Sequence, residues 1–94
     1  MIFRYPISLS QYGRFQHSTN DAELHAICAK AGVRVTGEQL IGGVETWFFR
    51  GRCAGTMALV QQSDQSWECV IRVQSKPWWL PWFVLDYGFR EALR

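Results

Sequence analysis

Lysine is scarce in this chain. Of ten basic residues only Lys30 and Lys76 are lysines, and the rest are arginines. Low-complexity tracts and internal repeats are absent as well. The longest apolar block, Trp78 to Leu85, is broken by Pro81. It falls far short of the roughly twenty residues that a membrane-spanning helix needs, so no membrane role is expected. The N-terminus, Met1 to Pro6, lacks the basic start and long apolar run of a secretory signal. Three cysteines, Cys28, Cys53 and Cys69, form no CxxC spacing, and an odd count is not a disulfide framework. A reducing cytoplasm is the expected setting. Acidic residues are too few for a DNA mimic, and a net charge of +2 with a pI near 8.6 is too mild to mark nucleic-acid binding by itself.

What the chain has in quantity is aromatic surface. Its 94 residues, expected to form one domain over 1–94, include five tryptophans, six phenylalanines and three tyrosines. Hydrophobic residues make up 48% and charged residues 19%, the latter below the roughly 25% of an average domain. A short chain buries one modest core. These aromatics are expected either to make that core bulky or to form an exposed patch for a partner or a second copy, since interfaces favour Trp, Tyr, Phe and Arg and disfavour Lys.

The organising stretch is Val33 to Val73, which reads as a four-stranded meander. Its apolar segments are rich in Val, Ile, Trp, Phe and Thr and are punctuated by Gly42-Gly43, Gly51-Arg52 and Ser63-Asp64-Gln65-Ser66. Gly42-Gly43 suits a type I′ turn, which pairs Ile41 with Val44 and Glu38 with Trp47. Two-residue turns at Gly51-Arg52 and Asp64-Gln65 would then put Leu40, Trp47, Phe49, Ala58, Val60, Trp67, Cys69, Ile71 and Val73 on a core face. The other face would mix Ile41, Val44, Phe48, Met57, Leu59 and Val70 with Gln39, Arg50, Gln61, Glu68 and Arg72. A one-residue slip at either turn exchanges these sets beyond it.

Ile2 to Leu9 alternates as a strand, and Pro6 consigns it to a sheet edge. Gln11 to Thr19 is polar and reads as a loop. Asn20 to Ala31 is a helix: Asn20 and Glu23 can form a capping box, Leu24, Ile27, Cys28 and Ala31 make one stripe, and Gly32 supplies the left-handed terminator. After the stiff connector Lys76–Trp82, a second helix is expected over 82–93, opened by Pro81 and carrying Trp82, Leu85, Phe89, Ala92 and Leu93 at helical spacing. The fold class is α+β: a four- to five-stranded antiparallel sheet, the meander plus an N-terminal edge strand, with helices at about 20–31 and 82–93. The second helix is expected to cover the mixed face or to cap an end.

No motif carries catalysis. His25 and Cys28 lie three apart on the first helix, but a zinc site wants four ligands, or three and a water, and His17, Cys53 and Cys69 sit on separate elements. Cys28 belongs to the apolar stripe, whereas a nucleophilic thiol needs exposure and positive surroundings. Asp86 and Glu91 are out of helical phase, and Gly37 to Gly43 matches no phosphate-binding loop. No catalytic residue, cofactor or metal is expected.

The candidate binding residues are Phe48, Arg50 and Arg72 on the mixed face and Trp78, Trp79 and Trp82 in the connector. They point first to a non-enzymatic protein-binding module, an inhibitor or adaptor with a protein partner or a second copy of itself. Compact proteins of this size and type occur among phage- and plasmid-encoded regulators, anti-CRISPR inhibitors included; that analogy rests on size and type alone. The alternative is single-stranded nucleic acid, RNA in particular, held on the Arg/aromatic sheet face.

Overall fold

A computed structural model describes residues 1–17 and 22–94. Five strands form one antiparallel sheet: β1 (Ile2–Ile7), β2 (Val33–Ile41), β3 (Val44–Gly51), β4 (Ala54–Gln61) and β5 (Trp67–Ser75). Their order across the sheet is β1-β5-β4-β3-β2, so β2 to β5 are the meander and β1 adds to its far side. Pro6 lies in the edge strand, where its missing N–H interrupts no interior ladder. Three helices complete the described residues: α1 (Leu9–His17), α2 (Ala22–Lys30) and α3 (Trp82–Ala92).

Over Gln11 to His17, α1 replaces the expected loop; the rest of that loop, to Thr19, lies outside the described residues. The start of α1 is closed by a reciprocal pair: the Ser8 N–H donates to Gln11 Oε1 at 2.8 Å, and the Gln11 N–H donates to Ser8 Oγ at 3.1 Å. These are the bonds of a capping box. The proposed cap of α2 at Asn20 falls outside the described residues. Its far end behaves as expected, since Gly32 takes φ +82 and donates its N–H to the Ala29 carbonyl.

Gly42 and Gly43 adopt φ +58 and +80, and the predicted pairs Ile41–Val44 and Glu38–Trp47 both form. The other two turns are one residue longer than expected. Ala58, not Met57, pairs with Thr46, which leaves Gly51, Arg52 and Cys53 between the paired positions. At the next turn the Gln62 N–H donates to Ser66 O at 2.7 Å around Ser63-Asp64-Gln65, with Gln65 in the left-handed region at φ +69. That is a three-residue hairpin ending in a left-handed residue. The first slip turns β4 over and the second restores β5. Met57 and Leu59 therefore face the core, while Ala58 and Val60 move to the opposite face, a correction to both predicted sets. Leu40 lies on the core side by register but is 70% exposed near the end of the hairpin.

All three helices cover the same face of the sheet. Tyr12 of α1 stacks on Trp67 at 3.7 Å, and Phe89 of α3 packs on Phe49 at 5.8 Å and Phe3 at 6.2 Å. Leu24, Ile27 and Cys28 of α2 join the same core. α3 thus does not cover the mixed face, contrary to expectation. Two polar ties fix the layers: Tyr5 donates to Asp86 Oδ1 at 2.7 Å, and Gln11 Nε2 donates to the Leu93 carbonyl at 2.8 Å, satisfying an acceptor at the end of α3.

The core makes stability depend on alkaline pH. Burial pushes the Cys28 thiol up to about 11 and the Cys69 thiol up to about 12; burial also raises Cys53, and burial with the Asp86 hydrogen bond raises Tyr5. A raised folded-state value favours the protonated group in the folded chain. The stabilisation is complete below the unfolded thiol value and is lost as pH climbs through the folded one. Urea midpoints should hold near neutrality and fall above about pH 9, by up to about 1.4 kcal/mol per pH unit for each thiol. Midpoints that stay flat to pH 10.5 would contradict this burial.

Candidate functional site

Two surfaces are built from the residues that the sequence singles out. The first lies on α3 and the connector before it. Leu80 is buried, and its N–H donates to the Pro77 carbonyl at 3.1 Å, so residues 77–80 close a turn anchored on the core. Trp78 and Trp79 occupy the turn and point away from the core, 90% and 63% exposed. α3 continues from them with Leu85, Phe89 and Ala92 inward, which places Phe83 and Tyr87, four apart, on the outer side at 73% and 66% exposure. Trp82 is different: half-buried, it packs edge-on against Phe3 at 6.2 Å and lies under the Lys76 ammonium at 4.9 Å. It helps position the turn and is a wall of the core. Phe83 and Tyr87 were not singled out from the sequence, although their spacing opposite Leu85 and Phe89 carried the signal.

The second surface is the sheet face without helices. Cross-strand partners share a face. One row runs Gly37, Phe48, Thr56, Arg72, Ile2 and the next runs Gln39, Thr46, Ala58, Val70, Arg4. Phe48 and Arg72 line a groove of about 410 Å³ with Thr56, Ala58 and Val70 in its wall. Arg50, two residues along β3 from Phe48, lies on the same face opposite Arg34. The three sheet residues proposed from sequence are thus together, although β4 contributes Thr56 and Ala58 in place of Met57 and Leu59.

A hollow of about 580 Å³ is lined by Tyr12, Phe15, Trp47, Leu59 and Trp67, with Glu45 and Gln61. That volume could hold a small ligand, but Glu45 and Gln61 are both exposed and present no buried, fixed polar group. Nor do the cysteines make a reactive centre, since all three are buried and their raised values keep the thiolate scarce at neutral pH. Among the described residues no three His, Cys, Asp or Glu side chains are grouped to hold a metal ion. No helix among the described residues is long and apolar enough to cross a membrane. Comparison with protein-family models, with curated proteins and with solved structures finds no match to this chain.

Proposed function

We propose that the protein is a non-enzymatic binding module, an inhibitor or adaptor that occupies the surface of a partner protein through Trp78, Trp79, Phe83 and Tyr87. The observation that carries this reading is the exposure of Trp78, 90%, on a turn whose next residue but one is anchored in the core. Large rings cost a folded chain solubility when left in water, and interfaces are where such rings concentrate.

The area is adequate. An aromatic side chain buries about 150–250 Å² when covered, so four rings at these exposures offer roughly 400–700 Å². That approaches the ~800 Å² each partner contributes to an interface of standard size. Order is adequate too. Pro77 and Pro81 flank the two tryptophans, and the helix holds the other rings, so little freedom is lost on docking. Rings of this kind are the usual hot spots, each worth about 2 kcal/mol or more when truncated.

Affinity capture with the tagged protein, with and without nuclease, tests the reading, together with light scattering on the pure protein. A stoichiometric protein partner that survives nuclease is expected, or, if the partner is a second copy, a dimer mass in solution. A monomer that retains no protein would overturn it.

A further inference from the structure

The modest net charge hides a one-sided distribution. Strand register places Arg4, Arg34, Arg50 and Arg72 on the uncovered sheet face, opposite to Phe3, Val33, Phe49 and Ile71, their core-facing neighbours. The one acidic residue on that face, Glu68, already accepts from Arg4 at 3.3 Å and from Gln62 Nε2 at 2.7 Å. The rest of the sequence holds six basic residues against seven acidic ones, so the cationic excess lies on this face.

Arg34 and Arg50 are direct cross-strand partners. Like charges in that position are destabilising unless something anionic joins them. Among the described residues neither has a carboxylate partner, and neither does Arg72. The sheet continues past Arg50 into a cleft of about 260 Å³ lined by Arg50, Arg52, Ser75, Lys76 and the backbone of Gly51, with no acidic residue in its lining. The Phe48 groove adjoins it along the strands: Phe48 and Arg50 are two apart on β3, and Gln74 of the groove is followed by Ser75 of the cleft.

Three guanidinium groups without carboxylate partners, set about an aromatic platform, are suited to a flexible polyanion with planar groups. We propose that this face binds single-stranded nucleic acid, with phosphates at Arg34, Arg50 and Arg72 and a base laid on Phe48. A duplex does not fit. The major groove admits a helix or a two-stranded ribbon, but the β2–β3 hairpin end carries Glu38 and Glu45 and no base, and the arginines sit on the sheet face behind it. Guanidinium pairs phosphate oxygens in bidentate fashion, and stacking on one ring tolerates any base, so little sequence preference is expected. This surface lies across the sheet from α3 and is independent of the protein-docking proposal.

Fluorescence anisotropy with labelled dodecamers of uridine and thymidine, titrated over a range of salt, reads the proposal directly. Three phosphate contacts give a log–log salt slope of about −2 at ~0.7 per contact, and Arg50→Gln with Arg72→Gln should reduce its size by about 1.4. Phe48→Leu keeps apolar packing but removes the ring. It should weaken binding roughly 5- to 150-fold, the effect of losing one stacked base, and leave the slope unchanged. Trp78→Ala should leave binding intact. Absence of binding at low salt would overturn the proposal. So would tighter binding of a duplex of the same length. Equal binding of a polyglutamate peptide, insensitive to Phe48→Leu, would assign the face to acidic proteins and equally overturn it.

Discussion

Replacing Phe89 with alanine should cost the fold about 3–5 kcal/mol, the range for deleting a fully buried phenyl ring. Phe89 is 1% exposed and sits where the layers meet, against Phe49 of β3 and Phe3 of β1. Those strands lie on either side of the sheet's middle, with β5 and β4 between them. One ring therefore spans the sheet from the helical layer, and its loss opens a cavity that rigid strands cannot collapse into. A domain of this size has a total stability of roughly 5–14 kcal/mol, so the variant should be marginal at room temperature. Urea denaturation followed by circular dichroism measures the change. A loss under 1 kcal/mol would mean that α3 is not seated on the sheet as described.

Gly55→Ala should be comparably damaging, about 3 kcal/mol or more, by the opposite mechanism. A Cβ at Gly55 would overlap the Arg72 carbonyl oxygen and press on Val73 Cα. Both are backbone atoms of the neighbouring strand, so no side chain can rotate away. The crowding has a cause: the ladder between β4 and β5 shifts by one residue between Ala54 and Gly55, and the strands close up there. Glycine is needed for close approach, and not for a positive φ. The same denaturation experiment applies. A Gly55→Ala protein of wild-type stability would show that the register at this end of β4 differs from the one described.

These two sites also show what could be read from the chain. Phe89 was legible, because Leu85, Phe89, Ala92 and Leu93 repeat at helical spacing after a helix-opening proline. Gly55 was not, because its role arises from a register shift against Val73, a partner on another strand. The same limit applied to β4 as a whole. Gly42-Gly43 announces its turn type through residues that accept positive φ at both positions, and the predicted pairing formed. Ser63-Asp64-Gln65 gives no such signal, since the left-handed position is filled by Gln65, a residue that seldom adopts it. Each missed turn moved the pairing by one residue; with a period of two, the turn before β4 exchanged the faces of β4 and the turn after it restored those of β5.

α1 was missed for a different reason. Gln11, Gly13, Arg14 and Gln16 make Leu9–His17 polar on average and mask its short apolar side of Tyr12 and Phe15, and the helix is secured at its start, by the Ser8–Gln11 pair and by the stacking of Tyr12 on Trp67. The Ser8-x-x-Gln11 pattern was the available signal. Of the six candidate binding residues, Phe48, Arg50 and Arg72 depended on β3 and β5, whose faces were read correctly. Trp78 and Trp79 depended only on a short connector between prolines. Trp82 began a helix whose inner stripe drew it toward Phe3, and its spacing to Leu85 and Phe89 already indicated this.

The central claim is that the outer rings of α3 and its connector belong to an interface and not to the core. A Trp78→Ala, Trp79→Ala double variant tests it most directly, measured for thermal stability and for retention of the captured partner or self-associated mass. The account predicts a melting temperature within a few degrees of wild type, because neither ring is buried. It also predicts a loss of binding of at least 30-fold, the product of hot-spot losses of about 2 kcal/mol at one or both positions. A double variant that unfolds would put these tryptophans in the core, and one that folds and binds as wild type would remove them from the interface; either result contradicts the account.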